Sequence, residues 1–447
     1  MRKMSDLYRK GKKTLAENYC PISLTCISCK LFEHVITHHI MTHMETHDIL
    51  YHLQHGFRSG LSCETQLVEF FHDIAGNCHQ GHQTDVLVMD FSKAFDKVGH
   101  TRLVNKLSNY GITGKTQNWI QNWLTGRRQR VVIDGDASDQ VAVTSGVPQG
   151  SVLGPCLFLI YINDLAKELN STVRLFADDT IAYITVDSNN DANQLQQDLD
   201  CLARWEEKWQ MKFHPEKCQV LRVSKKLKPS YTGSYRLNGH LLEVVDHAKY
   251  LGLTIQGNLR WDKHVSNVTN KANSTLAVLK RNVGVQSKVI KSSAYTALVR
   301  PHLEYCSSVW DPYTKGLSDK IEMVQRRSAR WVFNKYRTCP DSTGPTEMLR
   351  DLDWPPLQTR RQNARLSLLY KMSNNLVNCS YNSLLCPYPY TTKNMPAHAF
   401  KPLDLNPRKL YFSNIFFPRT VQEWNLLPPN TAEAPSLEAF KALLVAG

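Results

Sequence analysis

VRLFADDTIAYITV, residues 173–186, decides the fold. Val173, Leu175 and Ala177 alternate with Arg174 and Phe176, and after two aspartates Ile181, Tyr183 and Thr185 resume the alternation, which is the period of a β-strand. The stretch predicts a hairpin with Asp178 and Asp179 at its bend. Aspartate is a common turn former, so the pair alone reads as an ordinary turn. The flanks change that reading: a solvated turn between strands this apolar normally carries Gly or Asn, and two adjacent carboxylates repel unless a cation joins them.

Working outward, VLVMDFSKAFDKV (residues 86–98) offers another acidic strand end. Val86 to Met89 form an apolar run of strand length closed by Asp90, which reads either as the cap of the next turn or as a ligand where an open α/β sheet keeps its ligands. Three carboxylates from neighbouring strands, Asp90, Asp178 and Asp179, suit Mg²⁺, which takes hard oxygen donors. Two such ions, with Mn²⁺ able to substitute, would clamp the attacking and leaving oxygens of an in-line phosphoryl displacement. Between these segments lies TSGVPQGSVLGPCLFLIYINDL (residues 144–165). Gly146, Pro148 and Gly150 predict a tight loop, Ser151 a helix cap, and Val152 to Leu165 a helix that tolerates Pro155 in its first turn. Backbone N–H groups at such a helix start are offered to phosphate or to a base pair.

The whole chain agrees with that chemistry. Its 447 residues are 42% hydrophobic, ample for a large core, and 54 Lys and Arg against 40 Asp and Glu leave +14, which favours a polyanionic partner. The run from Val152 to Ile162 falls far short of the roughly 20 apolar residues a bilayer span needs. The N-terminal MRKMSDLYRKGKK has no apolar signal core, and the 12 cysteines show no small-scaffold spacing. No membrane partner is expected, and the location expected is nucleus or cytoplasm. The pattern is α/β: residues 13–255 alternate strands and helices, with a helix from about Cys29 to Thr46. Beyond Gly257 come helices with basic faces, then a tail broken by Pro387, Pro389, Pro396, Pro402, Pro407 and Pro418.

The chain resembles the reverse transcriptase of a non-LTR retrotransposon of the jockey-like branch. The matching stretches, in the family's order, are NYCPISLTCISCKLFEHVI, QHGFRSGLSCETQL, DFSKAFDKVGH, SGVPQGSVLGPCLFLIYINDL, LFADDT, MKFHPEKCQVLRVS and YLGLTI. The likeness continues through LVRPHLEYCSSVWDP, VQRRSARWVF and FFPRTVQEWNLLP. It implies a right-hand polymerase with an antiparallel palm sheet: a reverse transcriptase domain of fingers and palm over 1–256, a helical thumb-like region over 257–345, and a partly irregular extension over 346–447. It implies a nucleotidyltransferase that extends a DNA primer on an RNA template with dNTPs, with Asp90, Asp178 and Asp179 as catalytic metal ligands. By the same resemblance Lys217 protonates departing pyrophosphate, and Phe91, Phe95, Gln149, Gly150 and Arg58 meet substrate. Phe95 is the ring that excludes a ribose 2′-hydroxyl, and Tyr250 to Ile255 match the primer-gripping hairpin.

Two positions depart from the family pattern: Cys20 stands where an arginine is usual, and Gly99 where a proline is usual. Cys20, at a position expected to steady the triphosphate, supports the alternative of a truncated or decayed remnant that only binds nucleic acid, whereas Gly99 is expected to loosen a turn and little else. The carboxylates alone would also allow a two-metal nuclease or phosphatase. His34, His38, His39, His43, His47, His52 and His55 crowd near Cys26 and Cys29, but without another close cysteine pair they read as surface and core histidines. Leu195, Leu199, Leu202 and Trp209 form a core-facing helical stripe, with Trp205 nearby. Basic runs at Arg127-Arg128-Arg130, Lys225-Lys226-Lys228, Arg326-Arg327-Arg330 and Arg360-Arg361-Arg365 are candidates for a duplex track. The best of them is the run around Arg326, interleaved with Val324, Trp331 and Phe333.

Overall fold

The computed structural model describes residues 2–8, 19–133, 136–226, 229–284, 287–336, 344–379, 384–387, 397–401 and 410–446. Lys228, Pro389, Pro396, Pro402 and Pro407 lie outside them, as does the Cys20 side chain. Two compact units emerge, the first from Met1–Ser59, Asp85–Val220 and Ser230–Val245, the second from Gly60–Thr84, Leu221–Pro229 and Asp246–Gly447.

The first unit is mixed α/β. Helix α1 (Ile27–Thr46) leads to strand β1 (Thr84–Met89), helix α2 (Leu153–Ile162), the hairpin β2 (Thr172–Phe176) and β3 (Asp179–Thr185), helix α3 (Asn189–Trp209), the start of strand β4 (Gln219–Val223), whose last three residues are assigned to the second unit, and strand β5 (Glu243–Val245). The sheet order is β5-β4-β1-β3-β2. Strand β1 is buried almost throughout, as its apolar run predicts. Helix α2 is apolar nearly all round and buries every residue but Pro155, which is why it sits inside the core rather than on it. Helix α3 begins at a reciprocal cap between Ser188 and Asp191 and buries Leu195, Leu199 and Leu202, the expected stripe. A separate sheet joins Arg2–Tyr8 antiparallel to Tyr19–Leu24, which holds Cys20, and parallel to Arg128–Ile133.

The second unit contains the helix Cys63–Gln80, the antiparallel hairpin β6 (His247–Tyr250) and β7 (Leu253–Gln256), and then helices, among them α4 (Asp262–Asn282), α5 (Lys315–Phe333) and α6 (Leu357–Ser373). The hairpin expected at residues 250–255 is present. Leu251 and Gly252 form its tight turn, both with positive φ (+43° and +84°), the primed geometry that matches strand twist.

Arg174, which alternates with the apolar residues of β2, is itself buried and donates from Nε to the Tyr183 hydroxyl (2.8 Å). Arg361 and Arg365, candidates for a duplex track, are buried instead around Asp311, with Glu423 and Arg419 completing the cluster and Arg419 Nη2 lying 3.1 Å from Asp311 Oδ2. A buried charge persists only when paired, and a basic run looks the same in sequence whether it faces water or a buried carboxylate.

Candidate active site

Asp90 immediately follows β1, and Asp179 opens β3, the neighbouring strand. Asp178 lies between β2 and β3 in a two-residue turn with Ala177, while Asp179 already pairs with Phe176 across the hairpin. The bend is therefore Ala177-Asp178 rather than the aspartate pair, and Ala177 takes the left-handed conformation at φ +53°. Asp178 is half-buried and Asp179 exposed.

Asp90 is fixed through its backbone by the MKFHPEKC segment, residues 211–218. The His214 N–H donates to Asp90 O (2.7 Å), and the Ser92 N–H to Lys212 O (2.9 Å). Between them Phe91 pairs with Phe213, their rings stacked at 4.1 Å. Glu206 of α3 accepts from the Phe213 N–H and from the Asn238 side chain, and burial raises its pKa. This ladder runs straight into the turn Pro215–Lys217, which brings the Lys217 ammonium to 3.0 Å from Asp90 Oδ2. Cys218, buried behind Asp90, has its pKa pushed up to about 11 by burial and stays a thiol.

The expected substrate residues divide. Phe95 is half-buried and its ring is held by stacking on Phe158 (4.4 Å). The loop 145–149 is pinned to the same segment: Gly146 N–H to Val98 O (2.8 Å), Val147 N–H to Phe95 O (2.8 Å), and Gln149 Nε2 to Asp96 Oδ1 (3.4 Å). Gly146, at φ +90°, passes so close to Asp96 that a Cβ would lie 2.7 Å from its carbonyl oxygen. Gly150 is exposed with φ +91°. The ring of Phe91, by contrast, is buried in the core. Arg58 is engaged by Glu45, at 2.8 Å from Nε and 2.6 Å from Nη2, and by the carbonyls of Tyr51 and Gln54.

The start of α2 also departs from expectation. The Glu33 carboxylate of α1 accepts from the Val152 N–H (2.7 Å) and the Leu153 N–H (3.3 Å), and Ser151 Oγ from the Gly154 N–H (3.0 Å). Those donors are thus occupied by protein, not offered to phosphate. Glu33 is fully buried, and nothing in the spacing of the sequence marks it as a cap 119 residues away.

The donor set fits a hard divalent cation such as Mg²⁺, since the acidic side chains at the strand ends are all carboxylates. Among the described residues, no group of three His, Cys, Asp or Glu side chains is gathered closely enough to hold an ion. The structure brings the acidic strand ends onto adjoining strands, with the Asp90 carboxylate paired to Lys217.

A family model described as reverse transcriptase (RNA-dependent DNA polymerase) matches residues 9–255. Among curated proteins, the probable RNA-directed DNA polymerase from transposon BS of Drosophila melanogaster is 28% identical over 366 residues, covering 78% of this chain and 39% of that protein. The RNA-directed DNA polymerase from mobile element jockey of the same species is 26% identical over 373 residues, covering 80% and 40%. The chain thus spans about two fifths of the length of these relatives. Among solved structures, telomerase from Candida albicans in complex with a TWJ fragment of telomeric RNA aligns at 9% identity and TM-score 0.43, covering 86% of this chain and 60% of that one.

Proposed function

Because the chain belongs to the reverse transcriptase (RNA-dependent DNA polymerase) family, we propose that it extends a DNA 3′ end on an RNA template, as the polymerase of a jockey-like non-LTR retrotransposon. The observation that carries this reading is the pair of acidic strand ends: Asp90 closing β1 and Asp178-Asp179 at the start of β3, neighbours in one buried sheet. A pair of bound Mg²⁺ ions would supply charge neutralisation at the attacking and leaving oxygens, and Asp90, Asp178 and Asp179 would hold them.

The remaining roles belong to the chain's own side chains. Lys217, on its short turn beside Asp90, is a general acid for the departing pyrophosphate. Phe95, kept from swinging away by Phe158, rejects a 2′-hydroxyl by steric clash. Gln149 and the exposed backbone at Gly150 line the approach of the nascent pair. Phe91 and Arg58 contribute by holding the scaffold, one stacked on Phe213 and the other bonded to Glu45. The first 256 residues then act as fingers and palm, 257–345 as a thumb, and 346–447 as an extension of it. Exposed Arg326 and Arg327 on α5 are suited to backbone phosphates of an RNA–DNA hybrid, whose A-form grooves favour recognition by shape.

Purified protein with poly(rA), oligo(dT), dTTP and Mg²⁺ or Mn²⁺ is expected to incorporate dTTP, and Asp178→Asn to abolish incorporation. Incorporation that survives Asp178→Asn refutes the assignment of the site. A parent protein that binds the hybrid but never extends it is the decayed remnant instead.

A further inference from the structure

The bend carrying Asp178 and Asp179 is backed by a segment more than a hundred residues earlier, LQHG at 53–56. This strap lies parallel to β2: the Leu175 N–H donates to Leu53 O (3.0 Å), and the His55 N–H to Leu175 O (2.9 Å). The Gln54 side chain is only 2% exposed. Its Oε1 accepts from two backbone donors, the Gly56 N–H (2.8 Å) and the Ala177 N–H (3.0 Å). Gly56 is equally constrained. A Cβ there would lie 2.4 Å from Ala177 N and 2.9 Å from the Phe176 carbonyl carbon, both backbone atoms of the bend, so neither can move without moving Asp178.

Ala177 explains why such a hold is needed. At φ +53° it occupies a region that an alanine adopts only at a cost, and which hairpin turns normally fill with glycine. A conformation of that kind persists where its surroundings over-determine it. Here the surroundings are the Gln54 amide and the bare Cα of Gly56. Arg58 closes the strap on itself by donating to the carbonyls of Tyr51 and Gln54 while gripping Glu45.

We propose that Gln54 and Gly56 are positioning residues for nucleotidyl transfer: they set where the Ala177-Asp178 bend sits and hence where the Asp178 and Asp179 carboxylates meet metal and triphosphate. This rests on the polymerase reading above and adds to it residues that touch no substrate.

The test compares isosteric variants in the full chain. Gln54→Met keeps length and packing but removes the acceptor, whereas Gln54→Glu keeps it. Gln54→Met is expected to lower kcat by about a hundredfold, the scale of a 1 Å misplacement, and to raise the Mg²⁺ concentration for half-maximal rate. Hybrid affinity should stay at the wild-type value, and Gln54→Glu should recover most of kcat. Gly56→Ala, which pushes the same bend by contact, should show the same signature. If circular dichroism shows one of these two variants unfolded, the other carries the test. Wild-type kcat and Mg²⁺ dependence in the folded variants overturn the proposal, and so does a loss confined to hybrid binding. A wild-type protein inactive with both metals refutes the polymerase reading instead. Mn²⁺ binding followed by electron paramagnetic resonance, referenced to Asp178→Asn, then decides the positioning claim, which an unchanged Mn²⁺ affinity in Gln54→Met overturns.

Discussion

His264 is a histidine that the fold requires to be neutral. On α4, it accepts the Thr254 N–H at Nδ1 (3.1 Å), which ties it to the β6–β7 hairpin, and its ring meets Trp310 edge-on at 4.7 Å. Burial lowers its pKa from 6.5 to about 4. The unfolded chain therefore takes up a proton first as pH falls, so the stability His264 contributes is whole above about pH 6.5 and is lost progressively down to about pH 4. Denaturant titrations across that window should show wild type losing on the order of 2–3 kcal/mol more than His264→Gln. Equal losses would mean that the imidazole titrates in the folded state as it does in water. At this scale the sequence was legible in placement: the flanking apolar runs put Asp90 at a strand end and Asp178 and Asp179 at a hairpin, where they lie. Gln54 was not, because a glutamine that works by accepting a backbone N–H 123 residues away leaves no local pattern.

Between elements, the junction of α1 and α2 shows how a motif can be read correctly in shape and wrongly in use. Gly146, Pro148 and Gly150 do make a tight loop, and a helix does follow, but over Leu153–Ile162 rather than to Leu165. Its first amides are closed by Glu33 and Ser151. A carboxylate there also meets the positive end of the helix dipole. Glu33→Ala leaves the buried Leu153 N–H and the part-buried Val152 N–H without that acceptor and should lower unfolding free energy by about 2–4 kcal/mol in urea. Glu33→Gln, which keeps one oxygen, should lose less. Equal midpoints for the two variants would mean that packing, not the accepted bonds, is what Glu33 provides.

For the molecule as a whole, the +14 charge predicts a polyanion partner, but only placement tells which cations are free to meet it. On α5, Arg326 and Arg327 are exposed while Val324 and Trp331 are core residues rather than a stacking platform. Replacing both arginines with alanine should reduce the slope of log affinity against log salt for an RNA–DNA hybrid by about 1–2, and an unchanged slope would remove α5 from the track. Arg361 and Arg365 belong to a different story, which the run of basic letters hid. They converge from α6, with Arg419 from the helix Phe416–Asn425, on an aspartate buried just before α5. Asp311 thus has its counterions on the far side of any cut placed near residue 345. A chain stopped there would lose the two helices that close over Asp311 together with the arginines that pair with it. The last hundred residues are consequently no appendage to be trimmed for convenience: the helices ahead of them are electrically unfinished until those residues arrive.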